Sequence, residues 1–279
     1  MLGSRWPQKP PVGTSIAPPS GLAQGLVAFW ALNEGTGLPF DTASGHLAAS
    51  NNATWTGSPY GAALAFNGTN QYVNLGSSTP WLNLTGPLTL ACLAAPIAGS
   101  ATNQQLIDGH TTTNQGGYLL VVNTSGNNEM DYYTVQGGSV ASAASNSGAA
   151  DGGWHVFAVS HWSTAANGVQ FYRDGYAWGT ATASFFGGSY TGQRTLGART
   201  DAAAKWLSGG MAWAAIWSRA LSAQEHLAMA SNPWQVLRPQ RDVASMSAAR
   251  SGGRVSYRRG SSILLPLQLP TADLYCYLD

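Results

Sequence analysis

Charge is what this chain has least of. Only 9% of its 279 residues are Asp, Glu, Lys or Arg, against roughly a quarter in an ordinary soluble domain. A disordered chain is excluded all the same, because such chains carry excess charge and few aromatics, and here aromatics reach 10% with 11 Trp. Cysteine is nearly absent: Cys92 sits in the apolar run LTLACLAA and reads as a buried thiol, and Cys276 lies three residues from the end. With no C-x-x-C pair and no Cys/His cluster, a zinc site has no support. No apolar run approaches the length of about 20 residues that crosses a bilayer. The N-terminal MLGSRWPQKPPVG lacks the apolar core of a secretion signal, so the expectation is synthesis and assembly in the cytoplasm. Little charge also means little repulsion between copies, which suits dense packing in an assembly.

What fills the chain is Gly (34 residues) with Ser, Thr, Asn and Ala, the composition of many tight turns. The few charges are unevenly placed. Residues 1–24 hold Arg5 and Lys9 and no acid; residues 25–237 hold five basic against nine acidic residues; residues 238–279 hold six Arg against three Asp. Basic arms on a mildly acidic body point to an acidic partner surface, another protein or another copy. Six Arg spread along the tail make no dense patch of the kind that nucleic acid requires.

Three segments follow. Residues 1–24, with Pro7, Pro10, Pro11, Pro18 and Pro19, read as an extended arm, since proline blocks helices and sheet ladders. Residues 25–237 read as the domain. Strands are expected at Leu26 to Trp30, Ala62 to Phe66, around Tyr72 to Leu75, and at Leu88 to Ala95, Gln104 to Asp108, Gly117 to Asn123 and Glu129 to Val135. More follow at Trp154 to Trp162, Val169 to Arg173, Tyr176 to Ala183, Gln193 to Ala198 and Gly209 to Ser218. GGSVASAASNSGAADGG reads as a loop or a weak edge strand. Asn167-Gly168 and Asp174-Gly175 are hairpin turns. Ser222 with Glu225 three residues on is a capping box that opens one short helix, and Pro233 closes it. This is an all-β, two-sheet sandwich of jelly-roll type. Residues 238–279 read as a second arm, basic and then apolar, broken by Pro266 and Pro270. Arg5, Trp6, Arg238, Arg241, Arg254, Arg258, Arg259, Ile263, Leu264 and Leu265 are the residues expected to anchor the arms to a partner.

Several ordered motifs carry a family resemblance. FNGTNQYVNLG leads a turn into a Tyr-Val strand, WHVFAVSHW opens an alternating strand with Trp-His, and VQFYRDGYAWGTAT is a hairpin turning at Asp-Gly. AAIWSRALSAQEHLAMASNPWQVLRPQ supplies the closing strand, helix and Asn-Pro-Trp exit. In this order they resemble the laminin-G/concanavalin-A-like sandwich over about 26–237. With SRWPQKPPVG and LAQGLVAFW at the N-terminus, the chain looks like the bacteriophage and prophage structural members. The resemblance implies a virion protein, above all a capsid decoration protein held by its arms to the major capsid protein or other virion proteins, in many copies or as a homo-oligomer. A tail-fibre or adhesin module that binds host-surface glycan or a receptor is the alternative, and the sequence leaves head and tail both open. For such a glycan, Trp55, Tyr60, Trp81, Tyr132, Tyr133 and Tyr190 are the candidates to stack on sugar rings.

Relatives that bind calcium need clustered carboxylates, whereas here Asp108, Glu129, Asp131, Asp174 and Asp201 are scattered, and Asn70 and Asn74 stand where many relatives carry acids. Glu129 and Asp131, two apart on one strand face, make at most half a site. They are also the one pair with the spacing of glycosidase carboxylates, and nothing else supports them. The five His are dispersed. No catalytic residue and no metal ligand are therefore expected, no cofactor other than a calcium ion that the resemblance leaves open, and no nucleic-acid or membrane partner.

Overall fold

The computed structural model describes residues 9–18, 21–77, 83–98, 103–110, 116–123, 128–137, 139–189, 192–200, 204–237, 255–258 and 264–267. The chain divides into two units, Met1–Arg238 and Pro239–Asp279. The first contains β1 (Leu26–Trp30), β2 (Phe40–Asp41), β3 (His46–Leu47), β4 (Ser50–Asn51), β5 (Thr54–Ser58), β6 (Gly61–Asn67), β7 (Val73–Gly76), β8 (Leu88–Pro96) and β9 (Asn103–His110). It continues with β10 (Gly116–Asn123), β11 (Glu129–Gln136), β12 (Ser139–Ser147), β13 (His155–His161), β14 (Val169–Arg173), β15 (Tyr176–Ala181), β16 (Arg194–Leu196), β17 (Ser208–Trp217) and helix α1 (Ala223–Ser231). The short β2 to β5 carry no alternation and are not foreseen by the sequence reading. The low-complexity segment forms the edge strand β12. In the second unit, β18 (Val255–Arg258) pairs antiparallel with β19 (Leu264–Leu267), so a hairpin forms where the sequence shows little periodicity.

Two antiparallel sheets form the sandwich. Sheet 1 runs β15-β14-β13-β8-β17-β1-β2-β3, with the β5–β6 hairpin joined beside β17; sheet 2 runs β12-β11-β10-β9-β16-β7-β4. β17 is the hinge of sheet 1. It pairs with β8 along one edge, and along the other with β6 at Ser208 to Met211 and with β1 from Ala214 to Trp217.

Every residue of β8 is buried, as expected of a strand covered on both faces. Leu88, Leu90, Cys92 and Ala94 point into the core between the sheets, with Trp30, Leu64, Ile107, Tyr118, Met130, Tyr132, Phe157 and Ile216. Ala91 and Leu93 point the other way, into a second core with Phe29, Val156, Trp213, Trp217, Met229 and Trp234, beneath α1 and the turn that follows it. Cys92 carries a free thiol whose pKa burial pushes up. Tyr132 corrects the sequence reading: it is 0% exposed, because alternation along β11 places it with Met130 on the inner face, and it cannot meet a sugar. Alternation tells which residues share a face but not which face is inside.

The α1 capping box is formed as expected, Ser222 accepting from the Glu225 N–H while the Glu225 side chain accepts from the Ser222 N–H. Arg219 clamps Glu225 through two bonds and holds its carboxyl down to about 2. Beneath the helix, His226 Nε2 lies 2.8 Å from Ser160 Oγ, which lies 2.8 Å from Thr89 Oγ1. Thr89 accepts from the Leu221 N–H and donates to the Arg219 carbonyl, fixing the β17–α1 connection to sheet 1.

Residues 9–18, which sequence assigns to an arm, lie against the sandwich. Lys9 Nζ lies within hydrogen-bond reach of four carbonyls, those of Ala31, Leu32, Ala62 and Ala212, which share its N–H donors, and stands 5.7 Å from the Trp234 ring centroid; burial lowers its pKa to about 7, the charge of Glu34 opposing it. The Asn33 amide donates to the Pro10 carbonyl, and Ile16 bridges Leu237. Replacing Lys9 by Met should leave those carbonyls without their donor at a cost of about 2 kcal/mol, read as a lowered urea midpoint; an unchanged midpoint would show that the Lys9 contacts contribute nothing.

Candidate functional site

Two motifs singled out in the sequence meet at one rim of the sandwich. Asp174 and Gly175 both have positive φ, 52° and 83°, which is the two-residue turn whose twist suits a hairpin. A side chain at Gly175 would collide with Leu227 and the His226 carbonyl, so the hairpin tip sits tight on α1. This fixes Asp174. Its backbone N–H donates to the Val156 carbonyl at 2.9 Å, and its Oδ1 accepts from the Val156 N–H at 2.9 Å. Its Oδ2 lies 2.6 Å from His155 Nδ1, and since a carboxylate only accepts, that nitrogen carries the proton.

The other His155 nitrogen, Nε2, lies 2.6 Å from Arg173 Nη2 and 3.1 Å from Asp151 Oδ2. Arg173 pairs with Asp151, donates to the Gly148 carbonyl at 2.9 Å and lies 5.3 Å above the Trp178 ring. Burial raises the Asp151 pKa, but the Gly153 N–H, Arg173 and His155 outweigh it and hold the carboxyl below its ordinary value. Trp154 lies over Gly210 and meets Tyr60 edge-on at 6.0 Å. Burial and then the charge of Asp174 raise the Tyr60 pKa. Tyr176, 70% exposed, stands beside Arg173 across the hairpin.

Around the start of β13 the chain therefore offers two carboxylates facing water, with side-chain exposures of 44% at Asp151 and 47% at Asp174, while the rings of Tyr60 and Trp154 pack against the second core. Carboxylate oxygens accept from hydroxyl groups.

A second polar surface lies in FNGTNQYVNLG. Asn67 Oδ1 accepts from the Thr69 and Asn70 N–H groups, Asn52 Oδ1 accepts from the Tyr72 N–H, and Tyr72 tilts against Trp206 at 5.9 Å. These amides serve the loop's own backbone, as Asx turns do. They hold the loop.

A profile of the concanavalin A-like lectin/glucanases superfamily matches residues 67–225. The chain belongs to this superfamily. No curated protein matches it in sequence. Solved structures share its fold. The binding domain of Paraclostridial Mosquitocidal Protein 1 aligns with TM-score 0.59 at 9% identity, over 75% of this chain and 52% of that one. A botulinum neurotoxin type C structure, whose report ties cell entry to interaction with two ganglioside molecules, aligns with TM-score 0.56 at 11% identity, over 76% and 52%. The Trypanosoma rangeli sialidase aligns with TM-score 0.55 at 14% identity, over 74% and 33%. The chain spans about half of the first two and a third of the sialidase, and at these identities the likeness is one of fold.

In this concanavalin A-like sandwich the residues expected to bind sugar do not converge. Tyr60 meets Trp154 edge-on and packs with it against the second core. Trp55, on β5, packs against the inter-sheet core and spends its indole N–H on the Gly37 carbonyl at 3.0 Å. Tyr133 lies on the outer face of β11 and donates to Asp131 Oδ2 at 2.9 Å, so burial and the Asp131 charge raise its pKa. Trp81 and Tyr190 fall outside the described residues, as do Arg5, Trp6, Arg238, Arg241, Arg254, Arg259 and Ile263. Arg258, Leu264 and Leu265 belong to the β18–β19 hairpin. Glu129 and Asp131 share the outer face of sheet 2, as their spacing requires, and among the described residues no three His, Cys, Asp or Glu gather into a metal site. His155, Asp151, Arg173 and Asp174 were missed as site residues. The available signal was that Trp-His and Arg-Asp-Gly begin and end adjacent strands, which brings them to one end of the sheet.

Proposed function

We propose that this sandwich is a carbohydrate- or receptor-binding module that acts without catalysis, with glycan held at the β14–β15 rim. One observation carries the reading: the His155 ring and Arg173 hold the two water-facing carboxylates of Asp151 and Asp174 together at one end of sheet 1. Shared fold with toxin binding domains, one of them linked by its report to gangliosides, supports it. Asp151→Asn should weaken saturable binding to host-surface polysaccharide by about tenfold or more, in line with the loss of hydrogen bonds to an ionised acceptor, while circular dichroism stays native. An unbound wild-type chain on every polysaccharide and cell surface tried would sink the reading.

The setting we propose is the surface of a bacteriophage virion, assembled in the host cytoplasm. Support comes from the phage-like terminal segments, and a rim built for a ligand favours a tail-fibre or adhesin position over capsid decoration. Quantitative mass spectrometry of virions separates them. A handful of copies per particle is expected; hundreds would move the chain to the head, beside the major capsid protein.

A further inference from the structure

Two strands share one edge of β17, and where they part, four backbone carbonyls line the gap. β6 pairs with β17 as far as Leu64 and Met211, β1 pairs with it from Trp30 and Ala214, and between them Ala212 is the extra residue of a bulge. β1 ends at Trp30, so Ala31 and Leu32 run past it, Leu32 with φ of 50°, and Ala62 lies on β6 beyond its last pair with β17. The carbonyls of Ala31, Leu32, Ala62 and Ala212 all reach Lys9 Nζ, at 2.9 Å for Ala31 and 3.0 Å for Leu32. We infer that this joint is a receptor site for a primary amine, filled by the chain's own N-terminal segment and open to the amine of another molecule once Lys9 is removed.

Buried carbonyls left without a donor cost stability, and a primary amine brings several N–H groups to one point. A hydroxyl has one proton to offer four acceptors, and a group without N–H or O–H has none. The way in suits an unbranched chain: the Lys9 stem runs over Gly61, where an added methyl would lie 3.3 Å from Cδ and 3.4 Å from Cγ. The Trp234 ring centroid, 5.7 Å from Nζ, is within the reach at which a ring face attracts a cation. One carboxylate adds charge of the fitting sign. Glu34 Oε1 accepts from the Phe40 N–H at 2.9 Å while its Oε2 is buried without a partner, and the charges of Glu34 and Lys9 act on each other. The segment also has ties of its own, from the Asn33 amide to the Pro10 carbonyl at 2.7 Å and from the Ala17 N–H to the Val236 carbonyl at 2.8 Å. Taking away the amine therefore leaves the walls of the joint in place.

The test uses the full chain carrying Lys9→Ala, which removes the atoms of n-propylamine. Urea midpoints at pH 7.5 are read against rising n-propylamine hydrochloride, with the chlorides of tetramethylammonium, potassium and calcium at matched ionic strength. We expect Lys9→Ala to lower the midpoint and propylamine to return about half or more of the loss, saturably, as a ligand of the folded state does. Tetramethylammonium, which has the charge and no N–H, should return none, and the wild-type midpoint should not respond to propylamine. If Lys9→Ala does not fold in buffer alone, its refolding yield in the same solutions gives the same comparison. A Lys9→Ala midpoint equal to that of wild type overturns the site, since an empty joint would then cost nothing. Propylamine no better than tetramethylammonium, or equally active on wild type, overturns it too. Potassium or calcium restoring as much as propylamine overturns the ligand class and makes the joint a metal site.

Discussion

Alanine at position 117 should take away a large share of the sandwich's stability. Gly117 sits in β10 with φ of 113°, which side-chain-bearing residues rarely adopt, and a methyl group there would fall on the Gly109 carbonyl of β9. Both strands are held by their neighbours, Gly117 pairing with His110 on one side and Val135 on the other, so neither can step aside. The space is already used: Arg194, 1% exposed, lays its guanidinium 5.2 Å over the Tyr118 ring, in the room that the missing side chain of Gly109 leaves. Backbone strain and overpacking together should cost about 3 kcal/mol or more, a large share of a domain's stability. Gly137 is the control, with φ of 55° and open space around it; Gly137→Ala should cost about 1 kcal/mol. Urea unfolding of both variants decides it. A Gly117→Ala midpoint no lower than that of Gly137→Ala would mean that the two strands do not lie as close as described.

Acid should destabilise the sandwich well before its carboxylates are protonated. Burial lowers the His226 pKa to about 3, the charge of Glu225 opposing it, and lowers that of His161 to about 4, the Ser163 carbonyl opposing it. Each imidazole is held neutral. Tyr132 donates to His161 Nδ1, while its Nε2–H donates to the Ser163 carbonyl at 3.1 Å, and His226 is stacked on Tyr172 with ring centroids 3.6 Å apart. The unfolded chain takes up these protons near pH 6.5 and the folded chain does not, so the full stability is present above 6.5 and is lost as pH falls through 6.5 towards 4 and then 3. By pH 5 the loss is about 2 kcal/mol for each histidine. The Glu225 contribution, present above about 4.5, then goes as pH falls towards 2. Urea midpoints at pH 7.5, 6 and 5 should fall steadily, and His226→Gln should flatten the slope while costing stability at pH 7.5. A midpoint flat from pH 7.5 to 5 would show that neither histidine is held as described.

The longer strands of the sandwich, its two hairpin turns and its helix were legible because each rests on local chemistry, whereas the short β2 to β5 and the β18–β19 hairpin carry no alternation to read. Ser222 and Glu225 form their box wherever the chain goes, and Asp174-Gly175 turns because those residues tolerate positive φ. The site was much less legible. His155 and Asp174 are separated by a whole hairpin, and Asp151 belongs to the loop after β12. Only the antiparallel register of β13 and β14 brings the first two together, and only the packing of the β12 loop adds the third. Tyr132 and Tyr133 are adjacent in sequence and chemically alike; one is core and the other faces outward, a difference that sheet packing decides. Nor could the sequence separate Gly109 and Gly117, which make room for a buried guanidinium, from the many glycines that merely turn the chain.

The place of β17 also bears on how the protein is made. Residues 208–217 occupy the middle of sheet 1, between the strands made first and those made later. Until they leave the ribosome, β1 and β6 have no neighbour on one side, and β8 has none on the other. At about 5–20 residues per second, that is roughly ten to forty seconds of open, apolar strand edge, the kind that joins other chains. Synthesis of this sandwich should therefore depend on a chaperone that shields nascent β-strands, and its yield should fall when translation outpaces that protection.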